Sequence, residues 1–169
     1  MSTLKVNTIQ DTAGNVQPFG IEAVSVWYLT TSFTGNADPV QNWAAWNLDG
    51  NVTGFGSAMT ESSGIFTFPK TGFWQVQCQA YAYGSGSTTS YSIHTVISTD
   101  SGSSYEGAPR RSYSNVPSLS GTWYSQNTNT AFYDVTNAST TRVKVLIDGS
   151  PPNINNGGTF VRFIRLGDT

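Results

Sequence analysis

Charge is scarce in this chain: 11% of its 169 residues are Asp, Glu, Lys or Arg, against about 25% in an average soluble protein. Three Glu and three Lys leave little from which to build a solvated helical surface, whereas the abundant Thr, Val, Tyr and Ser favour pleated strands. Almost no helix is expected. The net charge of −2 and the scattering of the few cations, Arg110-Arg111 apart, provide no basic field for a phosphate backbone. Nucleic acid is therefore excluded as a partner.

Cysteine and histidine are scarcer still. Cys78 and His94 each stand alone, which excludes an intrachain disulfide and a Cys/His structural zinc site. No Gly-Lys-Ser/Thr follows Gly14, Gly54-Phe55-Gly56 or Gly84-Ser85-Gly86, so none of them reads as a phosphate loop. No Asp-x-Asp-x-Asp-Gly spacing offers a calcium loop. These absences imply neither metal nor cofactor. A run of about 18 apolar residues is missing too, as is a signal-like stretch after Met1. The product is expected to be soluble, without membrane insertion, and made in a cytoplasm. Asn51-Val52-Thr53 and Asn137-Ala138-Ser139 then read as chance tripeptides rather than glycan acceptors.

What the chain does have is 13% aromatic residues and 17 glycines, the material of strands and turns. Residues 1–20 carry only Leu4, Val6, Ile9, Val16 and Phe19 as large apolar groups, split by the turn-prone Asp11-Thr12-Ala13-Gly14-Asn15. They read as an extended N-terminal arm, and residues 21–169 as one globular domain. The stretch 22–33 is apolar on both alternating faces, as in a strand covered on two sides. Segments 63–69 and 72–84 flank Pro69-Lys70-Thr71-Gly72 and read as a hairpin. In its second arm Trp74, Val76, Cys78, Ala80 and Ala82 point one way, and Gln75, Gln77 and Gln79 the other. Trp43-Ala44-Ala45-Trp46 fits either a short strand or a helical turn. Further strands are legible at 90–98, at 121–136, where a bend or break is expected, and at 141–148 and 158–167. The total of roughly eight suits a two-sheet antiparallel sandwich.

Two segments carry a resemblance. Gly64-Ile65-Phe66-Thr67-Phe68-Pro69-Lys70-Thr71-Gly72-Phe73-Trp74 resembles a hairpin of the tumour necrosis factor family and of complement globular heads, Phe-x-x-Pro-x-x-Gly-aromatic-aromatic. Gly158-Thr159-Phe160-Val161-Arg162-Phe163-Ile164-Arg165-Leu166-Gly167-Asp168 is similar to the closing strand of the same fold. The resemblance spans residues 22–168 and implies an all-β jelly roll that assembles as a homotrimer about a threefold axis. Separately, residues 2–14, Ser2-Thr3-Leu4-Lys5-Val6-Asn7-Thr8-Ile9-Gln10-Asp11-Thr12-Ala13-Gly14, resemble the leader of structural proteins of tailed phages, notably cyanophages. This implies a virion protein on the outer surface of the particle.

In the closing strand Val161 and Phe163 project to one face, and Phe160, Ile164 and Leu166 to the other, so either face left in water exposes several large apolar groups. Burying one Phe or Ile is worth about 1.5–3 kcal/mol, against about 0–1 kcal/mol for an exposed ion pair. The trimer is therefore expected to be held by apolar contact, at Phe160, Val161, Phe163 and Ile164 with the Gln75, Gln77 and Gln79 ladder. The alternative is a monomer whose closing strand is covered on both sides by its own sheets. Leu4, Val6 and Ile9 alternate well enough to add a strand to a neighbouring edge, and are expected to anchor the chain to the major capsid protein or other virion proteins. Tyr105, Tyr113, Trp123 and Tyr124 are candidates for contact with a host-surface glycan, or else fill the core or subunit contacts. His94 reads as a packed residue rather than a base, and Asp38, Asp49, Glu61, Asp100, Glu106 and Asp134 as turn or strand-end acids rather than a hydrolytic pair. No catalytic site is expected. The combination reads as a non-enzymatic capsid decoration trimer, a cement or head-fibre protein; a tail fibre or spike component binding host-surface carbohydrate is the alternative.

Overall fold

The computed structural model describes residues 20–46, 54–86, 89–107, 111–150 and 153–169. The arm, with Leu4, Val6 and Ile9, lies outside the described residues. Within them are strands and turns and no helix: β1 (Ala23–Leu29), β2 (Phe33–Thr34), β3 (Trp43–Ala45), β4 (Thr60–Ser62), β5 (Ile65–Thr67), β6 (Gly72–Gly86), β7 (Thr89–Ser98), β8 (Glu106–Gly107), β9 (Ser112–Val116), β10 (Leu119–Val135), β11 (Arg142–Gly149), β12 (Asn153–Ile154) and β13 (Phe160–Gly167). Trp43 to Ala45 settles as a strand. The segment expected to bend or break is one continuous strand, β10, with its register shift confined to Leu119–Thr122 at the start.

The strands form two layers. The first sheet runs β2-β12-β6-β13-β1-β3, with β10 along the other side of β6; the second runs β4-β5-β11-β7-β8, with β9 also paired to β7. All neighbours are antiparallel. The chain repeatedly changes layer, which is the connectivity of an all-β jelly roll.

The expected hairpin at Pro69–Gly72 is a crossover instead. β5 pairs with β4 and β11, while β6 pairs with β10, β13 and β12, so the two runs lie in opposite sheets. The physical reason is burial: each run has one apolar face, and placing them in facing layers buries both against one another. Phe68 meets Trp74 edge-on at 5.3 Å, and Phe66 reaches Phe163 at 4.9 Å. The tight hairpin lies one step earlier, between β4 and β5, where Ser63 and Gly64 adopt φ of 53° and 84°. Both are left-handed, as a two-residue turn matching the strand twist requires. The Gly64 N–H donates to Glu61 Oε1 at 2.6 Å.

Between the sheets sit Leu29, Phe66, Phe68, Trp74, Val76, Cys78, Ile93, Val143, Val145, Ile147, Val161 and Phe163, all buried. The interior also holds polar pairs: Thr95 and Tyr133 share a hydrogen bond of 2.6 Å across the layers, and beside β9 Asn127 donates to the Ser112 carbonyl at 2.9 Å. In the same cross-strand row as Tyr133 and Trp74, the buried Arg165 forms ion pairs with Glu22 and Asp168 and donates to the Thr71 carbonyl at 2.9 Å. A charge is tolerable at such depth only with partners of this kind.

Candidate interaction face

One consequence of strand alternation is that the first sheet has a second face, turned away from the core. β6 sends Trp74, Val76, Cys78, Ala80 and Ala82 inward and Gln75, Gln77 and Gln79 outward, as their burial alternates. β10 does the same over its length, burying Trp123, Ala131, Tyr133 and Val135 and exposing Tyr124, Gln126, Thr128, Thr130 and Phe132. On β13 the outward residues are Phe160, Arg162, Ile164 and Leu166. Val24, Val26 and Tyr28 of β1 complete the surface by register.

Register aligns these side chains into rows. Phe132 lies opposite Gln75, Gln75 opposite Ile164, Ile164 opposite Val24, and Val24 bridges to Phe55. Four of these five residues are apolar. Phe132 is 67% exposed and Phe55 52%. Two rows further on lie Thr128, Gln79, Phe160 and Tyr28, with Tyr28 edge-on to Trp46 at 5.5 Å. Phe73, Trp46 and Leu166 add further exposed apolar surface to the strands of this sheet and their margins. Exposed apolar side chains gathered on one sheet face, here on either side of the polar row Thr130, Gln77 and Arg162, are what an interaction site presents.

Of the side chains expected at a trimer contact, some lie on this face and others do not. Phe160 and Ile164 lie on it, half-buried. Val161 and Phe163 do not: each is 0% exposed inside the single chain. β13 is a central strand between β6 and β1, so its inward face is sealed by the second sheet and needs no partner chain. The glutamines are half-buried on the face, and two are engaged within the chain. Gln77 accepts from Arg162 Nη2 at 2.6 Å, and Gln79 donates to the Gly158 carbonyl at 3.0 Å. Phe132, Phe55 and Val24 escape a reading that stops at the closing strand. The signal for Phe132 was the alternation of 121–136, which places it in phase with Tyr124.

The four aromatic candidates for sugar contact do not converge. Trp123 is buried at 5% exposure on the inward face of β10, which removes it from any surface site. Tyr124 is exposed but belongs to the first sheet, its ring stacked on Tyr81 at 5.9 Å. Tyr105 carries the Lys144 ammonium over its ring at 4.3 Å, with its own hydroxyl buried. Tyr113 stands on the second sheet, 66% exposed.

His94 is 2% exposed within β7, its Nε2 3.9 Å from Asp148 Oδ2. Burial first, then the Arg111 cation, push its pKa below the ordinary value, against the pull of Asp148 and Asp38, so it is neutral near pH 7. Ser92 lies two residues away, but its hydroxyl makes no hydrogen bond among the described residues. Serine, imidazole and carboxylate are therefore near one another without being linked as a nucleophile and its base. Asp100 is held by its own turn: its carboxylate accepts from Ser104 Oγ at 2.6 Å, from Ser98 Oγ at 2.7 Å and from the Ser104 N–H at 2.9 Å. Those bonds keep it well below the usual carboxylate range. No group of three or more His, Cys, Asp or Glu side chains comes together among the described residues.

Two stacked antiparallel sheets, with the terminal strand central and the chain crossing between layers, define the jelly roll of the tumour necrosis factor type. Murine APRIL, in a crystal structure at pH 5.0, superposes with a TM-score of 0.60 over 85% of this chain and 98% of its own, at 15% identity. Eiger TNF from S. frugiperda superposes with a TM-score of 0.61 over 88% of this chain and 94% of its own, at 16% identity. No protein-family model matches the sequence, and no curated protein matches it by sequence. At these identities the likeness is one of fold.

Proposed function

We propose that this protein is a non-enzymatic structural subunit of a phage particle, assembled as a homotrimer through the outward face of its first sheet. One observation carries the assembly: the row of Phe132, Gln75, Ile164, Val24 and Phe55, which no other described residue covers. Burying a Phe or Ile contributes about 1.5–3 kcal/mol, and a threefold axis counts every such contact three times. Phe160, Ile164 and the Gln75, Gln77 and Gln79 ladder sit in the contact, while Val161 and Phe163 support it from within.

The setting rests on the phage-type leader at residues 2–14. In this reading Leu4, Val6 and Ile9 anchor the trimer to the major capsid protein or another virion protein, and the jelly roll decorates the outer surface of the capsid. The tail-fibre alternative drew on Tyr105, Tyr113, Trp123 and Tyr124 as carbohydrate contacts; Trp123 is buried and the other three form no single patch, which favours decoration over a four-aromatic receptor tip.

Quantitative mass spectrometry of purified particles tests the setting. A decoration protein is present in hundreds of copies, following the capsid lattice, and a chain lacking residues 1–20 fails to bind particles while remaining trimeric. A copy number of a dozen or so contradicts decoration and returns the tail-fibre reading; absence from the particle contradicts both.

A further inference from the structure

A second site lies on the opposite layer. On the outward face of the second sheet, Tyr113 of β9 pairs with Ser92 of β7, and Ser92 pairs with Asp148 of β11. The three stand side by side and, with Ser90, Arg111 and Gly149, line a depression of about 140 Å³. That is room for more than a single water. Ser92 forms its buried floor: the residue is 1% exposed and its hydroxyl has no hydrogen-bond partner among the described residues. A buried hydroxyl left unpaired is unfavourable, so a group that hydrogen-bonds to it there is favoured.

The walls say what that group is. Arg111 Nη1 and Asp148 Oδ2 are 2.8 Å apart, so the site's two charges cancel and a charged ligand gains nothing from it. The pair keeps unused capacity, since a carboxylate accepts at about four positions and a guanidinium donates from five N–H groups. Adjacent hydroxyls, one donating and one accepting, match that capacity. Tyr113, 66% exposed, adds an apolar ring with a polar tip at the rim. An aliphatic ligand would strand Ser92 and Asp148, and an anion would meet the Asp148 carboxylate.

We propose that this depression binds one neutral pyranose unit of a glycan, with Tyr113 as its apolar platform and Ser92, Asp148 and Arg111 reading its hydroxyls. It lies on the sheet opposite the assembly face, so trimer formation leaves it open. The site does not rest on the assembly reading.

The test is an NMR titration of the full chain with the methyl glycosides of glucose, galactose, mannose and N-acetylglucosamine, and with an anionic methyl sialoside, each up to tens of millimolar. At least one neutral glycoside is expected to shift the amides of Ser90–Ser92, Ser112–Tyr113 and Asp148–Gly149. Tyr113→Ala is expected to weaken that binding about tenfold, Ser92→Ala several-fold, and Tyr113→Phe to retain it. The proposal is overturned if no neutral glycoside shifts these amides, if only the sialoside does, if the shifts map elsewhere, or if Tyr113→Ala binds as the parent does. Sedimentation of Tyr113→Ala reads assembly separately, so failure of this site and failure of the trimer are distinguishable.

Discussion

Phe132 of β10 and Ile164 of β13 flank Gln75 of β6 in one cross-strand row, all three on the side of the first sheet that faces away from the core. The core side of the same strands is sealed by the second sheet. Among the described residues nothing of the chain lies over the outward row, and in the proposed assembly that row holds subunits to one another while the core side holds the subunit together.

Replacing Phe132 with Asp therefore dissociates the assembly and leaves the subunit folded. The side chain is largely exposed in the single chain, so the subunit loses little, while each contact in the assembly loses about 1.5–3 kcal/mol of apolar burial and gains a charge. Light scattering coupled to size exclusion reads the mass. An unchanged far-UV circular dichroism spectrum shows that the sheets persist.

Phe163→Ala has the opposite signature. The ring is fully buried against Phe66 and Phe68, and truncating such a residue costs about 3–5 kcal/mol. Urea denaturation measured in the Phe132→Asp background, where assembly no longer contributes, shows the full loss. A loss seen only in the assembled protein would place Phe163 at the interface after all.

His94 makes stability depend on pH. Its folded pKa is lowered by burial and by Arg111 despite Asp148 and Asp38; the unfolded chain takes up the proton near the ordinary value of about 6.5. The stability this contributes is complete above about pH 6.5 and is lost as the pH falls from there toward the folded value. Urea midpoints recorded at falling pH are expected to decline over this window, and His94→Gln to flatten that part of the decline.

Cys78 is inert while the protein is folded. It is fully buried on β6, and burial pushes its thiol up to about 12, so almost no thiolate exists at neutral pH. A thiol reagent such as DTNB is expected to react only after denaturation, in a single step of one equivalent. Fast reaction with the folded protein would mean that the sandwich opens.

The alternation of 72–84 made the inward Trp74, Val76, Cys78, Ala80 and Ala82 legible residue by residue, because a strand with one covered face has only one workable phase. The partner of that strand was not legible. A Pro-Gly turn between two amphipathic runs is compatible with pairing or with crossing to the facing layer, and only the burial of Phe66 and Phe68 against Trp74 and Phe163 decides for crossing. The same limit explains the closing strand. Apolar residues on both of its faces announced two covered surfaces without saying that Val161 and Phe163 are covered by their own chain. Trp123 is a similar case: its type suits a sugar platform, but its phase on β10 turns it inward. The depression at Ser92 had no local signal, because Tyr113, Ser92 and Asp148 come from three strands that meet only through register.

Sedimentation equilibrium of the full chain at micromolar concentration tests the central claim most directly. The outward row of the first sheet predicts a stable species of three times the 18.2 kDa chain mass, reduced to a single folded chain by Phe132→Asp. A parent protein that sediments as one chain throughout, with Phe132 left in solvent, would contradict it.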